Sequence, residues 1–163
     1  MRKIIKTGCL IRDVLFLVLV ISVAISCNRV KTKQEVKEKY ADGKAKKVEE
    51  YLVDDNGHYA TDAKGNKILY KETYFFPGEK KYVSGTYDTV QARNGVWTSW
   101  YENGQKNSEQ NYINGKEDGK YRVWHPNGEP WIKGEYKMGE KTGVWSFHDT
   151  LGKVITEKDF GKK

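Results

Sequence analysis

Glycine stands at positions 95, 119 and 143, a spacing of 24 residues. A second glycine follows nine residues later in each unit, at Gly104, Gly128 and Gly152, and an aromatic eight beyond that, at Tyr112, Tyr136 and Phe160. The third position of each unit is also aromatic: Trp97, Tyr121 and Trp145. A chain that repeats in this way builds one supersecondary unit several times and stabilises it by packing each copy on the next.

The local chemistry says what that unit is. Asn-Gly occurs at Asn56-Gly57, Asn94-Gly95, Asn103-Gly104, Asn114-Gly115 and Asn127-Gly128, and Asp-Gly at Asp42-Gly43 and Asp118-Gly119. These dipeptides accept the positive φ angles of a type I′ turn, whose twist joins two antiparallel strands. Short runs rich in Trp, Tyr, Val and Thr flank them, and such residues suit a pleated sheet. Each unit therefore reads as strand, tight turn, strand, looser turn. The predicted fold is all-β: tandem antiparallel hairpins forming an elongated, twisted, single-layer meander sheet.

Side chains alternate across a strand. One face of the first strands carries Trp97, Ser99 and Tyr101, then Tyr121, Val123 and His125, then Trp145, Phe147 and Asp149. This face is expected to be interior. The other carries Val96, Thr98 and Trp100, then Lys120, Arg122 and Trp124, then Val144, Ser146 and His148, and is expected to be wetter. The clearest repeats are 95–118, 119–142 and 143–163. Upstream, Tyr40-Ala41-Asp42-Gly43 leads to Tyr51 as Tyr101-Glu102-Asn103-Gly104 leads to Tyr112. Phe76-Pro77-Gly78 runs into Tyr82 as His125-Pro126-Asn127-Gly128 runs into Trp131. Spacing is irregular from 52 to 94, and five or six hairpins are expected over 39–163.

The N-terminus is of another kind. Arg2, Lys3, Lys6 and Arg12 precede an uncharged, mostly apolar run of 13 residues, Val14 to Ser26. A spanning helix needs about 20 apolar residues, so a cleaved export signal over 1–26 is the expectation. Ala24-Ile25-Ser26-Cys27 resembles the lipobox of bacterial lipoproteins. That resemblance implies a thioether-linked lipid on Cys27, which becomes the new N-terminus in an exported protein of the bacterial envelope. Cys9, with no apolar run before it, is incidental. Cleavage leaves no disulfide partner. It also removes a net +3 from a chain of +7, leaving +4. An exported, tethered chain is not expected to meet nucleic acid despite its basic balance. Residues 27–38, lysine-rich and poor in apolar residues, read as a tether.

The unit G-x-W-x-x-W/Y-x-x-N-G followed by an aromatic resembles the MORN-repeat variant family over 95–163, and the similarity extends over 39–94. The resemblance implies tandem hairpins laid side by side. Some bacterial members carry an antitoxin label, and the family name refers to a proposed membrane association. His148 stands where Trp100 and Trp124 stand in the preceding units, and Leu151 replaces the asparagine before Gly152, so the last unit reads as a cap.

Catalysis is not expected. His58, His125 and His148 are scattered, and no metal-binding His or Cys spacing, nucleophile elbow or phosphate loop occurs. The adjacent acids Glu49-Glu50 and Asp54-Asp55 are expected to be solvated surface charge. No cofactor and no metal are predicted. The functional expectation is a membrane-anchored, non-catalytic module for protein–protein interaction, antitoxin- or immunity-like in one form. The competing expectation is a cell-wall protein binding glycan or peptidoglycan through exposed aromatics. A third is headgroup binding by the lysine-rich tether. Trp100 and Trp124, equivalent positions on the wetter face, and Tyr101 beside them are the candidate contact residues.

Overall fold

The computed structural model describes residues 30–162. The signal segment 1–26, Cys9 and Cys27 lie outside the described residues. Ten strands follow one another: β1 Thr32–Lys39, β2 Ala45–Leu52, β3 Leu69–Phe75, β4 Lys81–Tyr87, β5 Arg93–Trp100, β6 Lys106–Ile113, β7 Lys116–Trp124, β8 Pro130–Lys137, β9 Glu140–His148 and β10 Val154–Asp159. Each pairs antiparallel with its sequence neighbour in one open sheet ordered β1 to β10. This is the tandem-hairpin meander that the repeat predicts.

The turns differ from the expectation. A type I′ turn needs positive φ at both central residues. Among the Asn-Gly and Asp-Gly steps only Asn114-Gly115 has that, at 50° and 81°. Met138-Gly139, which carries no such sequence signal, is a second, at 52° and 90°. The opposite end of the sheet uses longer loops at 40–44, 76–80, 101–105, 125–129 and 149–153. In each, the first residue's N–H donates to the fifth residue's carbonyl, at 2.8–2.9 Å. Asn94-Gly95 and Asp118-Gly119 are not turns: they lie inside β5 and β7.

The glycines that open the repeats are bulges. Gly95, Gly119 and Gly143 have φ of 80°, 102° and 60°. At each, the pairing with the preceding strand slips, for example from Ser84–Thr98 to Thr86–Asn94 and from Lys133–Ser146 to Glu135–Thr142. A bulge adds local twist and re-aims the side chains after it. Here it lays the aromatic two residues on across the preceding strand. Trp97 covers Gly85 and Trp145 covers Gly134, so closely that a Cβ at either glycine would sit 2.1 Å or 2.3 Å from an indole carbon. Where that strand carries Gln110 instead, its partner is the smaller Tyr121.

One cross-strand row on this first face runs Glu35, Glu49, Glu72, Gly85, Trp97, Gln110, Tyr121, Gly134, Trp145, Lys158. Its C-terminal part is an aromatic core. Trp145 is 2% exposed, with Tyr136 at 5.1 Å, Tyr121 at 5.4 Å and Phe160 at 6.0 Å between ring centroids. Trp97 packs on Tyr87 and Tyr112. Buried indole N–H groups need acceptors, and Trp97 and Trp145 donate to the Thr86 and Glu135 carbonyls at 3.0 Å and 3.2 Å.

The N-terminal part of the same row is a charge network. Glu49 and Glu72 are buried, which corrects the expectation that Glu49 is solvated. Like charges directly opposite repel, so cations are interleaved between them. Lys47 lies 2.7 Å from Glu49 and 3.2 Å from Glu72, and Lys37 lies 3.1 Å from Glu35. Residues 53–68, the irregular stretch, form two small loops closed by the bridges Val53–Tyr59 and Thr61–Lys67. They deliver Tyr59 and Lys67 to Glu35. Residues 32–38 are therefore most of strand β1, paired with β2, and not a tether. Their lack of apolar residues misleads because this edge is held by backbone pairing and ion pairs, not by burial.

Candidate partner-binding face

The second face carries the residues singled out for contact. Trp100 ends β5 and Trp124 ends β7, two strands apart on the same side, and both are half-buried. Each sits in a cross-strand row. Phe75 pairs with Lys81, Trp100 with Lys106, and Trp124 with Pro130. Between the hairpins, the Lys81 ammonium lies 5.8 Å from the Trp100 ring and that of Lys106 5.8 Å from the Trp124 ring. The result is an alternation along the ribbon: ring on the odd strand, cation on the even one. Lys106 also pairs with Glu109. Cations near an indole face are held by the ring quadrupole at about 0.5–1 kcal/mol where exposed.

Next to this row, Val96, Glu109, Asn111, Lys120 and Arg122 line a depression of about 320 Å³. Val96 is 54% exposed, as is its equivalent Val144 at 56%. Arg122 faces Lys133 on one side and Glu109 on the other, and Lys120 faces Glu135, so this side of the face carries charges of both signs.

The third unit departs from the pattern. His148, expected on the wetter face, is 5% exposed, its Nδ1 has no hydrogen-bond partner, and its carbonyl accepts a bond from His125 Nε2 at 3.1 Å. The open aromatic row thus runs from Phe75 to Trp124 and stops at β9.

Tyr101 is placed differently from the two tryptophans. Its hydroxyl donates to the Trp124 carbonyl at 2.8 Å, 23 residues on. Tyr40 makes the same kind of bond to the Phe75 carbonyl at 2.7 Å. Asn103 and Asn127 do likewise from the loop tips: each amide donates to the next loop, at the Pro126 and Thr150 carbonyls, 2.8 Å and 2.7 Å away. Each Oδ1 accepts its own loop's Gln105 or Glu129 N–H. These residues staple loop to loop along one edge. In the last loop Leu151 stands where Asn103 and Asn127 stand, and Asp149, aligned with Tyr101, accepts the Leu151 and Lys153 amides of its own loop. This is the physical form of the terminal cap.

Sequence reasoning missed Lys81 and Lys106 and one further column. Tyr82, Trp131 and Ile155 are 49%, 44% and 67% exposed. Each is the extra residue of a bulge, between Lys81 and Val83, Pro130 and Ile132, and Val154 and Thr156. Tyr82 packs on Phe76 and Trp131 stacks on His125. Strict alternation cannot place a bulged residue. The alignment of Phe76…Tyr82 with His125…Trp131 was the available signal. Among the described residues, no group of three or more His, Cys, Asp or Glu side chains is arranged to hold a metal ion, and no helix is long and apolar enough to cross a membrane.

Residues 93–114 and 117–138 each match the MORN repeat variant family. The two matches begin 24 residues apart and coincide with β5–β6 and β7–β8, the hairpins that carry Trp100 and Trp124. No curated protein and no solved structure matches the chain.

Proposed function

We propose that the chain is a lipid-anchored, non-catalytic interaction module of a bacterial envelope, and that the Trp100–Trp124 face binds a protein partner. The observation that carries this is the contrast between the two faces. The first buries its tryptophans, Trp97 and Trp145, over glycines of the preceding strand. The second leaves the tryptophans Trp100 and Trp124 half-open with lysines beside their rings. Tryptophan and the other aromatics are enriched in protein interfaces and among the residues that dominate binding there. The antitoxin label of some family members makes a toxin-type protein one form of this partner.

The anchor is Cys27. The chain from Cys27 to Thr32 spans at most about 18 Å. β1 starts at the end of the sheet that carries the 114–115 and 138–139 turns, so a lipid there would hold the stapled loop edge away from the bilayer. Glycan binding through the same tryptophans is the competing reading.

The test is a paired capture from detergent-solubilised envelopes, using the full-length protein and its W100A/W124A variant. A protein retained by the first and lost by the second, with unchanged β-sheet circular dichroism, is the expected result. Equal capture by both refutes the reading, as does retention of both on peptidoglycan or polysaccharide with no protein partner. Mass spectrometry of the native product is expected to find residues 1–26 absent and a lipid on Cys27.

A further inference from the structure

The two ends of the strands present different chemistry. At one end the loop tips are polar: Asp42, Glu79, Asn103 and Asn127 are all exposed, and Leu151 is the apolar exception. Tyr82 and Trp131, near that end, lie within strands and pack on Phe76 and His125. At the other end, three successive reversals carry an apolar residue. Val90, at the centre of the β4–β5 loop, is 79% exposed, Ile113, entering the β6–β7 turn, 44%, and Met138, in the β8–β9 turn, 56%.

The turns are not the reason for these residues. Met138 has φ of 52°, a left-handed conformation that most side chains avoid and that Asn, Asp and Gly fill in such turns. Its amide donates to Asp118 Oδ2 at 3.1 Å, a bond that asparagine or glycine would make equally. Val90 stands at the loop position of Asn103 and Asn127, and Gln91 follows it at φ 65° where those loops have glycine. A local preference broken without gain to the fold points to function.

The start of the chain says what covers these tips. β1 begins at the same end of the sheet, with the exposed Val30 just before it. From Cys27 to Val30 the chain spans at most about 11 Å. A bilayer that holds Cys27, or the apolar run before it, therefore lies beside this end. The ribbon can stand upright on β1, with the tips away from the surface, or lie on its edge, with the tips against it. Apolar tips select the second posture. Charge does not enter, because it balances there: Lys116 precedes Glu117, Lys137 lies 3.2 Å from Asp118, and Glu140 precedes Lys141.

We infer that the sheet lies edge-on to the membrane that holds its N-terminus, with Val90, Ile113 and Met138 in the interfacial layer of the bilayer. The inference rests on the membrane anchor proposed above. Sheet twist permits it. Strands of about eight residues put the tips ~13 Å from the ribbon axis. At about 20° per strand, Val90 and Met138 are each turned ~40° from Ile113 and lie only ~3 Å higher, within the 5–10 Å depth that apolar side chains reach in an interface. The start of β1, turned about 110°, lies ~17 Å up, still within the span of residues 27–32. Both faces of the sheet then stand clear of the lipid, open to a partner.

The experiment places the photo-crosslinker p-benzoylphenylalanine in place of Val90, Ile113 or Met138 in the full-length protein in its native membrane. Lipid adducts are read by mass spectrometry. Controls replace Lys31 beside the anchor, and Glu102 and Leu151 at the opposite end; Leu151 is as apolar and exposed as the tips. The three tips are expected to yield at least tenfold more lipid adduct than Glu102 or Leu151. V90S/M138N is expected to cut the adduct from position 113 at least threefold without lowering the thermal unfolding midpoint, since asparagine suits the turn. In phosphatidylcholine vesicles, adding phosphatidylglycerol is expected to change the yields less than twofold. Equal yields at both ends would overturn the inference. So would adducts from Lys31 with none from 113 and 138, which is the upright posture, or tips that cross-link to protein, including a second copy. A yield that rises severalfold with phosphatidylglycerol would replace apolar contact by lysine contact and overturn it too. A membrane-bound chain without tip adducts sinks this inference alone, whereas a chain found free of the membrane and without lipid sinks the anchor and the inference together.

Discussion

Replacing Gly85 by alanine is expected to force Trp97 out of its place. The new Cβ would lie 2.1 Å, 2.3 Å and 2.4 Å from three indole carbons. The strand backbone beneath it is tied on both sides by the ladder, so the ring must move. Gly85 does not have positive φ, and the whole cost is therefore steric. Overpacking costs about 1–3 kcal/mol. Full expulsion of the ring approaches the ~3–5 kcal/mol of a Trp→Ala core substitution, since it forfeits the contacts with Tyr87 and Tyr112 and the bond to the Thr86 carbonyl. A loss of about 2–4 kcal/mol follows. Gly65→Ala is the control: its Cβ would meet nothing within 4 Å, but φ is 82°, and the left-handed conformation alone costs about 1–2 kcal/mol. The assay is equilibrium urea unfolding of G85A, W97A, the double variant and G65A. In the double variant the clash is gone, so its stability should fall close to that of W97A alone. A G85A loss below that of G65A, or additive losses in the double variant, would refute the account of why glycine faces the ring.

Three further outcomes are expected. Glu35 is held from its ordinary 4.5 to about 2 by hydrogen bonds from Lys67, then Tyr59 and Lys37. Its contribution to stability is complete above pH 4.5 and is lost as pH falls toward 2. Burial pushes Glu49 up, but hydrogen bonds from Lys47 and Tyr51 pull it below its ordinary value, in the same sense. All five tryptophans lie between 97 and 145, so acidification should change tyrosine signals and amide exchange in β1–β3 before tryptophan fluorescence. Simultaneous change in all probes would count against a separate charge network. Asn103→Asp keeps the acceptor for the Gln105 amide and removes the donor to the Pro126 carbonyl, at a cost of about 1–2 kcal/mol in thermal unfolding. An unchanged midpoint would show that the loop staples do not contribute. Trp100→Ala should destabilise less than Trp97→Ala, because its ring is half-open. The reverse order would mean that the two faces have been assigned the wrong way round.

The 24-residue period was enough to read off tandem hairpins, the face that buries Trp97 and Trp145, and the atypical last unit, because each rests on local pattern: alternation, turn-forming residues and column identity. Three things were not readable. Which Asn-Gly step turns and which bulges depends on the strand alongside: Asn114-Gly115 reverses the chain, while Asn94-Gly95 lies in β5, where pairing with β4 slips. The exposure of Tyr82 and Trp131 follows from bulges that break the alternation on which a face assignment relies. The placement of residues 32–39 in a strand, and the burial of Glu49, depend on Lys37, Lys47 and Lys67. Lys67 lies 32 residues beyond Glu35, and the folding back of the loops over 53–68 brings them together. Periodicity in a chain reports what each residue prefers next to its sequence neighbours. Charge neutralisation and ring-over-glycine contact are set by neighbours across the ladder, and these are specified only when the register is.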